Sequence, residues 1–316
     1  MTPIDFDGSM DTALRRIAAI ATGQRGAFTR AQAVDVGLTD RQLRRRVQSG
    51  VLDQLGPNSF RFTGRPLTLA DELGHLLLDV GEPAHASGPT AAALHGFDGY
   101  ALRRPFHIVV PRARNSRRVG VRVHTSGVLP LIDRTTVDGI PATSPARTII
   151  DLAREAHPSQ LSAALESAIR DGGASEQALH RRIVALRSQG RYGIPTLLDV
   201  IDGSEVARGG ASWLEREYLR LLAAAGLPMP RTQQVLTRAG DRSVRVDCFF
   251  DATNVVVELL GYRFHRTPAQ MRRDTERANA LLSDGFLPYQ FTYQQVVEEQ
   301  RYVVDVTKSA LQQRAA

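Results

Sequence analysis

The stretch Val246–His265, VDCFFDATNVVVELLGYRFH, decides the fold of the C-terminal part of the chain. Two runs rich in β-branched and aromatic residues flank the sequence DATN at 251–254, and this pattern predicts two strands joined by a tight turn. Each predicted strand carries one carboxylate in apolar company, Asp247 and Glu258. A buried carboxylate is costly unless it is paired or binds a cation. These two residues are therefore the first candidates for a functional site.

The sequence on either side extends the two strands into an α/β layer. An amphipathic helix precedes them at 212–225, and a long helix that begins with Thr267-Pro268 follows them. Further strands are predicted at 231–236 and 287–292, and a final helix begins at Gln294. The predicted order is α-β-β-β-α-β-α, an arrangement of helices packed on a sheet.

Composition limits the classes of protein to which the chain can belong. A length of 316 residues predicts two or three domains, and a hydrophobic content of 42% is enough for packed cores. The single cysteine, Cys248, excludes internal disulfides and fits a reducing compartment. No apolar run approaches the ~18 residues of a membrane span, and no signal segment is recognised at 1–22. We therefore expect a cytoplasmic protein with no membrane partner.

The charge balance points to a polyanionic partner. The net charge is +7, from 40 basic and 33 acidic residues. Lys308 is the only lysine, so the other 39 of the 40 basic residues are arginine. A general preference for arginine would also account for the total, and the clustering of the charges is therefore more informative than their sum.

The first 64 residues predict a winged helix-turn-helix domain. Helical spacing at 13–21 is followed by two capping boxes, Thr29 to Gln32 and Thr39 to Gln42, with Gly37 between the helices that they open. Strands at 51–55 and 59–62, joined by a Gly-Pro-Asn turn, form the predicted wing. The second helix of the pair collects the residues expected to contact DNA: Thr39, Arg41, Gln42, Arg44 and Arg45. The alternative is an ordinary solvated helix face.

The middle of the chain, 65–203, predicts a mixed α/β domain with a helical connection. Strands at 106–110 and 119–124 flank the segment PRARNSRR, which we expect to be a hairpin that contacts phosphates through Arg112 and Arg114. An ordinary solvated loop is an equally good interpretation. Arg147 and Asp151, four residues apart on a predicted helix, are expected to pair.

These two parts resemble AbiEi-type antitoxins and related regulators. The resemblance rests on GAFTRAQAVDVGLTDRQLRRRVQSGVLDQLGPNSFRFTG in the first domain, and on ASGPTAAALHGF and DGIPATSPARTIIDLA in the second. It implies that Ser87, Thr143, Arg147 and Asp151 are framework residues. It also implies double-stranded DNA as a partner and a cognate toxin protein as a second partner.

The last domain, 204–316, resembles the restriction-endonuclease-like (PD-(D/E)XK) superfamily, and within it the domains grouped with very-short-patch-repair endonucleases. The residues that match this pattern are Glu215, Asp247, Glu258, Gly261, His265, Asp274 and Arg277. The resemblance implies a Mg²⁺ site held by Asp247, Glu258 and Glu215, with catalytic roles for Asp247, Glu258 and His265. It also implies phosphate contacts from Arg273 and Arg277.

One position departs from that superfamily pattern. Leu260 stands where the third polar group of the site is expected, and Lys308 lies too far along the chain to replace it. His265, Arg263 or Arg273 could take that role. Alternatively the site has decayed, with Asp247 and Glu258 kept as partners of Arg245, Arg273 or Arg277, and Glu215 kept as part of a capping box with Ser212.

Two hypotheses follow from the sequence. In the first, the winged helix delivers a Mg²⁺-dependent endodeoxyribonuclease to DNA. In the second, the chain is an antitoxin or transcriptional repressor whose nuclease-like domain is inactive. The sequence leaves open whether the protein is an enzyme.

Overall fold

A computed structural model describes residues 6–64, 66–112, 119–127, 129–171, 173–186, 193–207, 212–239, 242–261 and 268–315. Packing divides the chain into two compact units, Met1–Ser175 and Glu176–Ala316. Both units combine helices with β-sheet, which agrees with the predicted multidomain α/β class. The three-domain division at residues 64 and 203 stays a prediction. In the part of the chain that the structure describes, no helix is long and apolar enough to span a membrane.

The first unit begins with three helices and a small antiparallel sheet. The helices are α1 (Phe6–Thr22), α2 (Arg30–Asp35) and α3 (Asp40–Gln48), and the strands are β1 (Ala27–Thr29), β2 (Leu52–Gln54) and β3 (Ser59–Phe62). The sheet has the order β1-β3-β2. Thr29 and Thr39 form the two predicted capping boxes at the starts of α2 and α3. Ile17, Phe28 and Leu43 are fully buried in the core that joins helices and sheet.

The rest of the first unit is a five-stranded sheet with four helices. The helices are α4 (Leu69–Val80), α5 (Gly88–Leu94), α6 (Pro145–Leu152) and α7 (Pro158–Arg170). The strands are β4 (His85–Ala86), β5 (Phe106–Pro111), β6 (Val121–Ser126), β7 (Arg134–Val137) and β8 (Ile140–Thr143), in the order β6-β5-β4-β8-β7. Asp138 and Gly139 join β7 to β8 with φ values of 48° and 77°, as a two-residue hairpin turn requires.

The expected hairpin between β5 and β6 is wrong. The two strands pair in parallel, with Phe106 opposite Val121 and Pro111 opposite Ser126. The sequence suggested a hairpin because a polar loop between two apolar runs looks the same for both strand directions. Only the pairing of β6 with β5 in the folded sheet settles the direction.

The second unit is a four-stranded sheet flanked by helices. The helices are α8 (Glu176–Leu186), α9 (Ile194–Ala207), α10 (Trp213–Ala224), α11 (Pro268–Ser283), α12 (Tyr293–Glu298) and α13 (Gln300–Ala315). The strands are β9 (Arg231–Ala239), β10 (Arg242–Phe250), β11 (Val255–Leu260) and β12 (Leu287–Thr292), in the order β12-β11-β10-β9. From α10 onward the order of elements agrees with the predicted α-β-β-β-α-β-α up to α12, after which α13 follows as a separate helix. The predicted boundary between residues 203 and 204 lies inside α9, because a helix tolerates a single glycine such as Gly203 at a cost of about 1 kcal/mol.

The core of the second unit lies between the sheet and helices α10, α12 and α13. Tyr218, Cys248 and Val257 are fully buried there. α8 is fixed to this core by His180, whose ring stacks on Trp213 with 3.6 Å between centroids. His180 Nδ1 also shares a hydrogen bond with the Tyr293 hydroxyl.

Candidate functional site

Helix α3 presents a stripe of arginines at its surface. Arg41, Arg44 and Arg45 are exposed, while Leu43 between them is fully buried. A spacing of three or four residues places the three guanidinium groups on one side of the helix. Within the described residues none of the three forms an ion pair with a carboxylate. The stripe is therefore available to bind an external anion.

Thr39 and Gln42 act at the start of the same helix. The Thr39 hydroxyl accepts a hydrogen bond from the Gln42 backbone nitrogen at 3.3 Å, and Gln42 Oε1 accepts from the Thr39 backbone nitrogen at 2.8 Å. These contacts stabilise the first turn of α3. The predicted DNA contacts of both side chains compete with this capping role and remain predictions.

The turn between β2 and β3 packs against α4. The Asp79 carboxylate accepts hydrogen bonds from the Asn58 backbone nitrogen at 2.7 Å and from the Ser59 hydroxyl at 3.0 Å. A Cβ placed on Gly56 would lie 2.4 Å from the Asp79 carboxyl carbon. The hairpin that the sequence predicted as a wing is present, and its turn is engaged within the protein.

Two further arginines of the first unit, Arg112 and Arg114, were predicted to contact phosphates. Arg112 is exposed just after β5, and its backbone nitrogen donates to the Ser126 carbonyl oxygen. Arg114 lies outside the described residues. The segment that contains both therefore contributes one described cation to the surface.

A buried arginine stabilises the middle of the first unit. Arg147, 2% exposed, donates to both Asp151 oxygens at 3.0 and 2.9 Å and to Asp133 Oδ2 at 2.8 Å. The predicted pairing of Arg147 with Asp151 is confirmed, and Asp133 is a second acceptor that sequence spacing did not indicate. This network connects α6 to the start of β7 and has a structural role.

Asp247, Glu215 and Gln233 meet in the second unit. Gln233 Nε2 donates to Glu215 Oε1 at 2.9 Å and to Asp247 Oδ1 at 3.4 Å. The other oxygen of Asp247 accepts from the Leu259 backbone nitrogen at 2.8 Å. Burial, reinforced by the Asp247 carboxylate, raises the pKa of Glu215. The Ser212 hydroxyl caps α10 by accepting from the Glu215 backbone nitrogen, as the capping-box alternative expects.

Gln233 is the residue that the sequence analysis missed. It lies within β9 with a φ of 55°, a backbone conformation that costs a non-glycine residue about 1–3 kcal/mol. An uncharged side chain in a strand gives no sequence signal for such a role. Its amide bridges two of the three predicted ligands, so the carboxylates are held together by a donor of the protein itself.

Glu258 is paired with Arg277 on α11. Arg277 donates to Glu258 Oε1 at 2.7 Å and to Oε2 at 2.9 Å, and also contacts the Arg245 carbonyl oxygen. Burial outweighs this guanidinium and raises the pKa of Glu258 to about 7. Both oxygens of the predicted metal ligand therefore already accept hydrogen bonds.

These contacts do not fit a Mg²⁺ ion in the arrangement observed. In the described ranges, no group of three or more His, Cys, Asp or Glu side chains is placed to hold a metal ion. Leu260 adds no polar group, and Arg273 is exposed on α11. His265 lies outside the described residues. The structure thus brings Glu215 and Asp247 together and pairs Glu258 with Arg277.

Comparisons with known proteins match both parts of the first unit, and the second match extends into the first helices of the second unit. The family described as "Transcriptional regulator, AbiEi antitoxin" matches residues 15–63, and "AbiEi antitoxin C-terminal domain" matches residues 84–198. The AbiEi resemblance of these parts is confirmed. Neither match reaches the sheet that carries Asp247 and Glu258, and the restriction-endonuclease-like resemblance stays a prediction.

Two relatives come from Mycobacterium tuberculosis. The "Uncharacterized protein MT2308" of strain CDC 1551 / Oshkosh and the "Uncharacterized protein Rv2248" of strain ATCC 25618 / H37Rv are each 32% identical over 213 residues. The match covers 66% of this chain and 74% of each relative. Among solved structures, the crystal structure of RV2827C protein from M. tuberculosis gives a TM-score of 0.42 at 16% identity. That match covers 72% of this chain and 89% of the other.

Proposed function

The chain belongs to the family of the two M. tuberculosis proteins and carries AbiEi antitoxin domains, and from this we propose that it is a DNA-binding transcriptional regulator of antitoxin type. The first 64 residues serve as the winged helix-turn-helix, with α3 as the recognition helix. The observation that carries the proposal is the stripe of Arg41, Arg44 and Arg45, exposed and without a carboxylate partner among the described residues.

The chemistry of this stripe suits double-stranded DNA. Arginine binds phosphate oxygens and can also donate two hydrogen bonds to a guanine edge in the major groove. Leu43 anchors the opposite side of α3 in the core, which fixes the direction of the guanidinium groups. Because Asp79 engages the turn between β2 and β3, base recognition depends mainly on α3 rather than on the wing.

The test is footprinting on the DNA upstream of the protein's own gene. We expect protection by the wild type and its loss in the Arg44→Ala/Arg45→Ala double variant. The control variant Arg272→Ala/Arg301→Ala removes the same charge from exposed positions of the second unit. Binding titrations at two salt concentrations should show affinity falling steeply with salt. Unchanged protection in the α3 variant would overturn the proposal.

A toxin protein is the second partner that we propose, on the basis of the family alone. Co-expression of the chain with the product of a neighbouring gene should yield a complex that survives purification. A purified chain that binds DNA and no neighbouring gene product would restrict the function to transcriptional regulation.

A Mg²⁺-dependent endonuclease is the other function that the sequence predicts. What favours it is the order of elements in the second unit and the presence of Asp247 and Glu258 on its adjacent strands β10 and β11. Against it, Gln233, Arg277 and the Leu259 nitrogen already donate to five of the six carboxylate oxygens of the predicted ligands, and Glu215 Oε2 is the one that has no partner among the described residues. We therefore propose that this unit is inactive as a nuclease.

Incubation of single- and double-stranded DNA with Mg²⁺ or Mn²⁺ tests this point. We expect no cleavage above that of the Asp247→Ala and Glu258→Ala variants. Cleavage by the wild type that both variants abolish would establish the nuclease instead.

A further inference from the structure

A cavity in the second unit is separate from the carboxylate cluster. Its volume is about 550 Å³, and it lies between the connection from α10 to β9, the turn from β10 to β11, and one face of α13. Its apolar lining includes Leu227, Met229, Phe249 and Leu311. Glu215, Asp247 and Glu258 do not line it. The size falls in the range of about 300–1,000 Å³ that is typical of small-molecule sites.

The lining of this cavity suits an apolar ligand. Phe250 and Leu311 belong to the buried core and form a fixed floor. Met229, by contrast, is 55% exposed at the opening, although burial of such a side chain would be favourable. Methionine is unbranched and polarizable, and it adapts its shape to an irregular partner. An apolar guest would cover Met229 without a change in the floor.

The charged side chains at the opening indicate which sign of charge the ligand should carry. Arg231 Nε lies 2.6 Å from Asp251 Oδ2, so these two charges neutralise each other. Asp305 on α13 pairs with Arg301, with 3.6 Å between Asp305 Oδ2 and Arg301 Nε. Lys308, the only lysine of the chain, also lines the cavity and forms no ion pair with any described residue. Its ammonium group is the uncompensated charge, and it suits a single anionic group.

We propose that this cavity binds a small amphipathic carboxylate, whose apolar body lies against Met229, Phe249 and Leu311 and whose carboxylate pairs with Lys308. Such a site would give the protein a small-molecule input distinct from DNA binding by α3. The proposal does not depend on the function proposed above, because it rests on a different unit and different residues.

Calorimetric titration of the full chain tests the proposal with three probes that share one chain length. These are decanoate and decyltrimethylammonium, each below its micellar concentration, and decan-1-ol below its solubility limit. We expect decanoate to bind with 1:1 stoichiometry, at least about tenfold more tightly than the alcohol, and the cation to bind most weakly. A tenfold difference corresponds to about 1.4 kcal/mol. Equal binding of all three probes, or no binding of decanoate, would overturn it.

Variants then assign the binding to this cavity. Lys308→Gln should weaken decanoate at least about tenfold and leave decan-1-ol unchanged, whereas Lys308→Arg should retain most of the affinity. Arg301→Gln, on the same helix but outside the cavity lining, is the matched control and should have no effect. Ala252→Trp and Met229→Trp, at two exposed positions of the lining, should each block decanoate and decan-1-ol. Decanoate binding that survives in both folded tryptophan variants would contradict the proposal.

Discussion

At the scale of single residues, Arg277 stabilises the buried carboxylate of Glu258. The Glu258 side chain is 10% exposed, and both of its oxygens accept from one guanidinium nitrogen. Arg277→Ala would leave a buried carboxylate without its charged donor, and we expect a loss of about 2–3 kcal/mol in the free energy of unfolding. Arg273→Ala, an exposed position on the same helix, should change it by less than about 0.5 kcal/mol. Denaturant unfolding followed by the fluorescence of Trp213, the only tryptophan, measures both.

Adding Glu258→Gln to Arg277→Ala supplies the control for this interpretation. The amide is neutral, so the double variant should recover part of the stability that Arg277→Ala loses. If both variants were equally unstable, the pairing of Glu258 with Arg277 would not explain the loss.

His180 gives the second unit a dependence on pH. Burial, helped by Arg216, lowers the pKa of His180 from 6.5 to about 3. The unfolded chain therefore takes up a proton at a higher pH than the folded one, and stability is full above pH 6.5 and falls as the pH is lowered toward 3. By about pH 5 the expected loss is about 2 kcal/mol. Equilibrium unfolding at several pH values, followed by Trp213 fluorescence, measures it.

His180→Gln should remove the part of the fall in stability at low pH that comes from the protonation of His180. The substitution also disturbs the stacking on Trp213, and this lowers the stability by the same amount at every pH. The dependence of stability on pH therefore distinguishes the loss of the titrating group from the loss of packing. A variant whose stability still falls by the same amount between about pH 6.5 and about pH 5 would show that another group is responsible.

The sequence located the two strand carboxylates and included Arg277 among their possible partners, but it did not indicate Gln233. Asp247 and Glu258 stood out because charge in an apolar strand is costly. Arg277 was expected to contact a phosphate or, in the alternative of a decayed site, to pair with Asp247 or Glu258, and it pairs with Glu258. Gln233 gave no signal, since its role arises from a positive φ and from contacts with two distant elements. Long-range contacts of this kind follow from the packing of the sheet and not from local spacing.

At the scale of elements, the contact between the β2–β3 turn and α4 contributes to the stability of the first unit. Gly56→Ala would place a methyl group against the Asp79 carboxylate, and we expect a loss of about 1–3 kcal/mol. Gly127→Ala is the matched control, because nothing lies within 4 Å of the added Cβ and its backbone is unstrained. Thermal unfolding followed by circular dichroism measures both variants.

Combining Gly56→Ala with Asp79→Ala tests whether the two residues act on each other. Asp79→Ala alone removes the acceptor of the Asn58 backbone nitrogen, yet it also removes the group that the methyl added at Gly56 would strike. The double variant should lose less stability than the two single losses added together. Strict additivity would mean that the clash does not occur in solution.

Local sequence patterns predict most of the helices and strands, whereas the remaining features depend on tertiary contacts. The capping boxes at Thr29 and Thr39 begin α2 and α3 as the spacing predicts. The same spacing at Thr292 also forms a capping box, at the start of α12, and it could have been used in the same way. The direction of β6 could not be derived, because apolar strands of either direction have the same composition.

At the scale of the whole molecule, each unit has its own buried core. Leu43 and Phe60 belong to a core of the first unit, and Tyr218 and Val257 to that of the second. We therefore expect two unfolding transitions instead of one, since multidomain chains commonly depart from two-state behaviour.

Gly56→Ala should lower the midpoint of the transition that circular dichroism shows for the first unit and leave the midpoint measured by Trp213 fluorescence unchanged. Arg277→Ala should do the opposite. If either variant moved both midpoints equally, the two units would unfold as one cooperative body, and a ligand bound in the second unit could then alter DNA binding by the first.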